Sequence, residues 1–369
     1  MRVRVSRLVA FWWRDGQLVC DDPVRHRQLA LTPEAERRLR SHATWTELAG
    51  DDALAHRLLE AHILVAEGSP EHLLEERLGA WRAIGPAATH YHLASRTQAG
   101  DEFRTAAQDA AALRAKAEQT PQPLPIKEYG EPRVPLPDGG LAGTPFAAVL
   151  AGRRSTRWFD AAPVRLADLA TLLRWTAGVR YEVDVPGLGP TMLKTTPSGG
   201  SRHPVEVYPV IRAVDGLAPG IYHYAARAHA LSCLAPGAVP DETLRAWCGG
   251  QPHAATAACL LLYTAVPERT AWKYASSRAY RALLLDLGHL SQTVYLVATA
   301  LGLGAFFTAA TRDALVEDAL GICWTDEILL GVTGIGVPHP RELERQQAMR
   351  AGDGAGFSFP PDAWHGFGE

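Results

Sequence analysis

The sequence lacks the long apolar segments and the excess of one charge that mark several large classes of protein. None of its apolar runs reaches the ~18 residues that a helix needs to cross a bilayer. The basic start, Met1 to Val9, has neither the apolar core nor the small-residue cleavage site of a secretion signal. We therefore expect a cytoplasmic protein with no membrane partner. The formal net charge of −3 gives no argument for binding nucleic acid.

Cysteine is scarce, and its five residues include no Cys-x-x-Cys pair. Because the count is also odd, neither a disulfide framework nor a cysteine-rich zinc site is expected. Cys259 stands in an apolar run and is predicted to be a small buried hydrophobic residue. His90 and His92 would share a face on a strand, but no cysteine or carboxylate accompanies them at ligand spacing, so we expect no metal site.

No Gly-x-Gly-x-x-Gly segment stands between a predicted strand and a predicted helix with an acidic residue downstream. Such a segment would indicate a dinucleotide-binding fold. Gly331, Gly334 and Gly336 fall inside a predicted strand, which is the wrong context. The sequence therefore does not predict a nicotinamide-binding domain.

Hydrophobic residues make up 47% of the 369 positions, which allows a large packed core. Composition divides the chain into a small α+β unit at 1–68, a helical and proline-rich segment at 69–144, a larger domain at 145–345 and a tail at 346–369. Six prolines between positions 121 and 137 predict an extended linker.

The first unit is predicted to contain three strands followed by three helices. Arg14-Asp15-Gly16 predicts a hairpin turn, and Thr32-Pro33-Glu34 has the cap, proline and acid of a helix start. The predicted elements are strands at 11–13, 17–20 and 28–31 and helices that begin at 32, at 44 and at about 51.

The larger domain alternates helices with strands, after predicted helices at 71–81 and 102–116. Its predicted elements are helices at 145–151, 166–177 and 278–301 and strands at 205–211, 220–224, 230–234, 259–266, 305–309 and 327–337. The helix at 278–301 has leucine and valine on more than one face, so it is predicted to be buried nearly all round and to end at Gly302.

The segment from Arg153 to Arg157 is a candidate anion site. Its sequence, Arg153-Arg154-Ser155-Thr156-Arg157, places three guanidiniums and two hydroxyls within five residues. Arginine can hold phosphate oxygens through two parallel hydrogen bonds. A solvated basic turn is the simpler interpretation. The following Trp158-Phe159 favours a segment packed against the fold, where a fixed basic cluster needs an anion.

Two further segments carry groups suited to binding a ligand or to acid/base catalysis. In Pro197-Ser198-Gly199-Gly200 the glycines let the backbone approach a flat ligand, although such a loop is more often a simple turn. Lys273-Tyr274 stands before the long helix and could form an acid/base pair, or it could be a surface lysine and a half-buried tyrosine. Arg278 and Arg281 are the cations expected to lower the pKa of Lys273.

Together these segments resemble the nitroreductase superfamily, and most closely its SagB-type dehydrogenases. These are FMN enzymes that oxidise azolines such as thiazoline to azoles in ribosomally made peptides. The resemblance covers roughly residues 145–338 and, more loosely, Trp81 to Arg96. Besides the segments above it includes Gly220 to Tyr224 with His229, Arg281 through Gly288-His289, and Gly302-Leu303-Gly304.

The resemblance implies an α+β nitroreductase fold, with a mostly antiparallel central sheet, long buried helices and an interleaved homodimer that binds FMN at its interface. Lys273 and Tyr274 would be the catalytic pair. The partner subunit's copy of the Pro197–Gly200 loop would cover the flavin ring, and electrons would pass to oxygen. The implied FMN-binding residues are Arg153, Arg154, Ser155, Arg157, Pro197, Ser198, Gly199, Gly200, Gly302 and Gly304. A modified peptide would be the substrate, and a cyclodehydratase of the same pathway a further partner.

Residues 1–68 resemble the PqqD-like peptide-recognition domain, whose winged-helix-like fold binds a peptide by adding a strand to a sheet edge. A structural lid or a dimerisation arm is an equally good interpretation of this short pattern.

Two other functions remain open on the sequence alone. One is a nicotinamide-dependent reductase of small nitro or quinone compounds. The other is a non-catalytic, peptide-binding partner in a biosynthetic complex.

Overall fold

The computed structural model describes residues 1–78, 85–96, 106–141 and 143–350. It divides into two compact units, one of Met1–Phe103 with Ser276–Arg278 and one of Arg104–Ala275 with Ala279–Glu369. Several expectations fall outside the described residues, namely Trp81, the start of the helix predicted at 102 and the tail beyond 350. No helix in the described ranges is both long and apolar enough to cross a bilayer.

In its described residues, the first unit contains two three-stranded antiparallel sheets and four helices. The strands are Arg2–Val5 (β1), Ala10–Arg14 (β2), Gln17–Asp22 (β3), Arg27–Leu31 (β4), Thr46–Glu47 (β5) and Leu64–Ala66 (β6), and the helices are Pro33–Ser41 (α1), Ala53–Glu60 (α2), Pro70–Arg77 (α3) and Pro86–Ala94 (α4). The sheets have the orders β5-β1-β6 and β2-β3-β4.

Local sequence explains the hairpin and the first helix, and both predictions are confirmed. Asp15 and Gly16 have φ of 50° and 75° between the paired Arg14 and Gln17, which is the geometry of a two-residue turn that matches strand twist. The side chain of Thr32 accepts a hydrogen bond from the Ala35 amide at 3.2 Å and so begins α1.

The structure differs from the sequence patterns at three places in this unit. The strand β1 was not predicted, although Val3 and Val5 alternate with arginines. The helix expected at Thr44 is instead the short strand β5, which pairs with β1. No apolar period of 3.6 follows Thr44, so tertiary pairing decides its conformation. His90 and His92 lie on the helix α4, so they do not share the face that a strand would have given them.

The second unit places eight described helices around one large sheet. The helices are Ala106–Gln119 (α5), Phe146–Gly152 (α6), Leu166–Thr176 (α7), Asp241–Trp247 (α8), Pro267–Lys273 (α9), Ala279–Ala300 (α10), Asp313–Leu320 (α11) and Pro340–Arg350 (α12). The strands are Arg133–Pro135 (β7), Val164–Arg165 (β8), Val179–Val185 (β9), Gly189–Lys194 (β10), Val205–Ile211 (β11), Val214–Asp215 (β12), Gly220–Ala225 (β13), Ala230–Pro236 (β14), Cys259–Ala265 (β15), Gly304–Thr308 (β16) and Ile328–Gly336 (β17).

The main sheet has seven strands in the order β16-β17-β15-β11-β13-β14-β7, and every neighbouring pair is antiparallel. Its two central strands, β11 and β15, are buried along their whole length. Cys259 is fully buried, as predicted, and burial raises the pKa of its thiol. Apolar residues of α7 and α10 pack on one face of the sheet and those of α8 and α11 on the other. The predicted α+β fold with a central antiparallel sheet is confirmed.

Within a single chain the long helix α10 is buried on one side only, so this chain alone does not provide the predicted burial nearly all round. Leu283, Leu287 and Val294 are in the core, whereas Leu284 is 47% exposed and Leu285 61% exposed. The sequence pattern cannot distinguish burial inside one chain from an apolar face left for another surface.

The antiparallel hairpin of β9 and β10 was also not predicted. Val179, Tyr181, Val183 and Val185 alternate with polar residues along β9, which is a strand pattern that the sequence prediction did not use.

Two of the three glycines of β17 are explained by aromatic rings on β16. A Cβ at Gly334 would lie 2.0 Å from Cε1 of Phe306, and one at Gly331 would lie 2.7 Å from the ring of Phe307. Since Phe306 is fully buried, its ring has no free space into which to move.

We expect Gly334→Ala to lower the free energy of unfolding by about 1–3 kcal/mol or more, because the added methyl overpacks a closed core. Gly130→Ala is the control, since no atom lies within 4 Å of a Cβ at that exposed glycine. Urea unfolding of both variants measures the difference. Equal stability of the two would contradict the packing of Phe306 against β17.

Candidate functional site

The loop at Pro197–Gly200 and the pair Lys273-Tyr274 lie together in one chain. Gly200 has φ of 62°, a left-handed conformation that favours glycine. A Cβ there would lie 2.7 Å from the hydroxyl of Tyr274 and 2.8 Å from Nζ of Lys273. The sequence predicted both segments separately, and the structure brings them into contact.

Asp286 on α10 holds this loop. Its carboxylate accepts hydrogen bonds from Ser198 Oγ at 2.5 Å and from the Gly199 amide at 3.1 Å. Ser198 Oγ also accepts a hydrogen bond from the amide of His203 at 2.8 Å, which closes the loop on itself. Burial raises the pKa of Asp286, and its two hydrogen bonds oppose that rise. Asp286 was not among the predicted site residues, although an acid within a leucine-rich helix was a usable signal.

A buried ion pair fixes the helix α9, which carries Lys273. Arg269 NH2 lies 2.6 Å from Glu206 Oε1 on β11, and Arg269 NH1 donates to the carbonyl of His203 at 3.2 Å. His223 Nε2 on β13 lies 2.9 Å from the other oxygen of Glu206. Burial opposes ionisation of Glu206, yet Arg269 and His223 hold its pKa below the usual range. One carboxylate therefore connects α9 with two strands of the main sheet.

Burial and a neighbouring cation both lower the pKa of the lysine in this pair. Nζ of Lys273 lies 5.5 Å from the ring centre of Tyr274, and both side chains are half-buried. Burial lowers the pKa of Lys273, Arg202 lowers it further, and Asp109 on α5 opposes the change. Burial raises the pKa of Tyr274, and Arg202 acts against that rise. Such a lysine can accept a proton nearer neutral pH than an ordinary one.

The cation beside Lys273 differs from those that the sequence suggested. Arg278 and Arg281 were the expected neighbours, whereas Arg202 is the one that lowers the pKa of Lys273. Arg202 follows the Ser198–Gly200 loop directly and donates from Nε to the carbonyl of Gly200 at 3.0 Å. It was missed because only the folded loop brings it to α9.

The segment Arg153–Arg157 lies beside the C-terminal part of α10. Ser155 Oγ lies 3.1 Å from the hydroxyl of Tyr295, which also accepts a hydrogen bond from the Phe307 amide at 2.8 Å. The guanidinium of Arg153 is 5.3 Å from the centre of the same ring. The amide of Thr156 donates to the carbonyl of Ala305 at 2.7 Å, which attaches the segment to β16.

The three arginines of this segment differ in their partners. Arg154 donates to the carbonyls of Ala151 and Arg153 at 3.2 and 2.7 Å. Within the described residues neither Arg153 nor Arg157 has a carboxylate partner, and Arg157 is exposed. Two guanidiniums without a counter-charge, next to two hydroxyls, form a set of donors suited to a phosphate.

The glycines at the start of β16 have structural reasons to be glycine. Gly302 has φ of 72° and ends α10 as predicted. A Cβ at Gly304 would lie 2.6 Å from Cγ2 of Thr156, so glycine allows β16 to approach the arginine segment. On α10, Asp286 contacts the glycine loop and Tyr295 contacts the arginine segment. The two residues are about 14 Å apart along the helix axis at 1.5 Å per residue.

Residues 150–337, just over half of the chain, match the Nitroreductase family. The chain belongs to the nitroreductase family. It is therefore an oxidoreductase of that family. The matched range includes the arginine segment, the glycine loop and the Lys273-Tyr274 pair.

Two curated relatives and one solved structure illustrate the likeness. A protein of Methanocaldococcus jannaschii named as a nitroreductase is 34% identical over 47% of this chain and 83% of its own length. The trifolitoxin-processing protein TfxB of Rhizobium leguminosarum bv. trifolii is 31% identical over 42% of each chain. This nitroreductase therefore spans less than half the length of TfxB. A nitroreductase structure from Ralstonia eutropha aligns with a TM-score of 0.47 and 24% identity over 58% of this chain and 95% of that one.

Proposed function

We propose that the protein is an FMN-dependent dehydrogenase that oxidises an azoline ring of a modified peptide to an azole. The observation that carries this proposal is the half-buried Lys273, which the glycine loop and Tyr274 enclose and whose pKa is lowered. A reductase of small nitro compounds has no evident need for a lysine base. The relation to TfxB, a protein named for processing a peptide toxin, supports a peptide substrate.

The arginine segment suits the phosphate of FMN. Arg153 and Arg157 offer charged donors without a carboxylate partner in the described residues, and Ser155 adds a hydroxyl. Arg154, Gly302 and Gly304 complete this end of the site in our proposal, and the partner subunit's copy of the Pro197–Gly200 loop covers the flavin ring. When bound there, FMN supplies the acceptor for the hydride that leaves the substrate.

The residues of this chain supply the base. The acidic ring proton next to the carbonyl passes to the amine of Lys273, or to Tyr274 once that residue is deprotonated. A hydride leaves the neighbouring carbon, and the two losses together create the new double bond. Hydride loss alone would leave a cation in the ring, so proton removal must accompany it. The carboxylate of Asp286 keeps the loop at Ser198 and Gly199 against the pair, which fixes its geometry.

We propose that the first unit binds the peptide outside the reacting ring. Among the described residues its strand β2 is at the edge of the β2-β3-β4 sheet, a position that suits strand addition. A groove of about 820 Å³ in the same unit is lined by Trp12, Asp21 and His90, and His90 Nε2 lies 2.9 Å from Asp21 Oδ2. A lid or a dimerisation arm is the alternative role for this unit.

We propose a homodimer as the working assembly, with a cyclodehydratase as an upstream partner. The exposed stripe of α10 contains Leu284, Leu285, Gly288 and His289. The apolar members favour contact with a second copy, and the glycine allows that copy to approach closely.

Replacing both Arg153 and Arg157 by alanine should abolish retention of FMN through purification. Each charged contact contributes about 1.5–3 kcal/mol, so the loss in affinity should exceed about 100-fold. Fluorescence of flavin released on denaturation measures occupancy. Arg227→Ala is the control, because Arg227 is a surface arginine paired with Glu182 in the same unit. Full occupancy in the double variant would show that the phosphate lies elsewhere.

Lys273→Ala and Tyr274→Phe should each fold and retain FMN but lose about 10²–10⁴-fold in turnover, because a positioned base contributes that much. If the two residues act as a unit, the double variant should be little worse than the worse single one. Tyr181→Phe serves as control, since Tyr181 is 68% exposed. Normal turnover of both single variants, with occupancy confirmed, would refute the assignment.

A further inference from the structure

The guanidinium of Arg202 connects three segments around Lys273. Its Nε donates to the carbonyl of Gly200 at 3.0 Å, and its NH1 donates to Oε1 of Gln122 at 2.8 Å. Its central carbon lies 5.7 Å from the ring centre of Trp272, the residue before Lys273. Arg202 thus contacts the glycine loop, the chain after α5 and the end of α9 at once.

The charge of Arg202 is not neutralised by a carboxylate in the described residues. Its hydrogen-bond acceptors are a backbone carbonyl and a side-chain amide, both uncharged. Arg269 on the same helix as Lys273 is different, because it is paired with Glu206. An unpaired, half-buried cation acts on its neighbours more strongly than a paired or exposed one does.

We infer that Arg202 is a positioning residue, whose guanidinium holds Gly200 against the Lys273-Tyr274 pair and places an unpaired positive charge beside Lys273. The inference rests on the proposed function of Lys273 as the base and adds what regulates it. Arg202 lies outside the predicted site residues.

The charges around the pair agree with this role. Burial and Arg202 both lower the pKa of Lys273, while Asp109 on the exposed side of α5 raises it. For Tyr274 burial raises the pKa, Arg202 lowers it, and Asp109 and Asp286 raise it again. Arg202 is thus the cation that favours the deprotonated form of both members.

Another cation near Trp272, Lys116, does not lower the pKa of Lys273 as Arg202 does. Lys116 donates to the carbonyl of Trp272 and lies over its ring at 5.6 Å, but it is not among the groups that alter the pKa of Lys273. The planar fork of arginine also allows two hydrogen bonds in fixed directions, which a lysine cannot reproduce.

The test measures the titration of Lys273 directly, without substrate. The full-length protein is treated with an acetylating reagent at a series of pH values, and mass spectrometry follows acetylation of the peptide that contains Lys273. In Arg202→Gln the midpoint should move to higher pH, so that acetylation at any one pH below the midpoint is slower than in the unchanged protein. Arg202→Lys keeps the charge and should keep the midpoint. Arg227→Gln is the surface control, with no expected change.

The pH dependence of turnover separates the effect of the charge of Arg202 from the effect of its hydrogen bonds. The acidic limb of the profile should move to higher pH in Arg202→Gln but stay in place in Arg202→Lys, whose rate should fall because the fork is lost. Arg202→Met, which retains the apolar stem over Trp272, replaces the glutamine variant if that variant does not fold. An unchanged midpoint for Lys273 in folded Arg202→Gln or Arg202→Met would overturn the inference. If the midpoint shifts while Lys273→Ala keeps full turnover, Arg202 controls the lysine and the proposed base is wrong.

Discussion

The carboxylate of Asp286 is held on the buried side of α10 and binds two successive groups of the glycine loop, Ser198 Oγ and the Gly199 amide. This contact anchors the loop that lies against Lys273. The next residue of that loop, Gly200, lies within contact distance of the lysine and the tyrosine. A buried carboxylate is costly unless it is satisfied, so the loop and the helix stabilise each other. The helix in turn is fixed because its other buried residues pack on the main sheet.

The same helix links the two halves of the candidate site. Asp286 positions the glycine loop near its start, and Tyr295 positions Ser155 and the β16 backbone near its end. The position of Lys273 is fixed by Glu206, which attaches α9 to β11 and β13 through Arg269 and His223. Polar contacts of this kind hold a geometry to tenths of an ångström only when each partner is itself immobile. Burial in the two core clusters provides that immobility.

The sequence predicted elements whose information is local and missed those that depend on distant partners. The strand at Cys259 and the cap at Thr32 follow from apolar runs and capping chemistry, and both were predicted correctly. The short strand at Thr46 exists because β1 pairs with it, which no local pattern reveals. In the site, residue type and order predicted the glycine loop and the Lys-Tyr pair. Arg202 and Asp286 were missed because their roles follow from tertiary contacts.

The central claim is that this member of the nitroreductase family removes two hydrogens from a ring in a peptide. The most direct measurement is mass spectrometry of an azoline-containing peptide after incubation with the flavin-loaded protein in air. The account predicts a loss of the mass of two hydrogens, dependent on bound FMN and abolished in Lys273→Ala. An unchanged peptide mass, together with bleaching of the flavin by NADPH and reduction of a nitro compound, would contradict it.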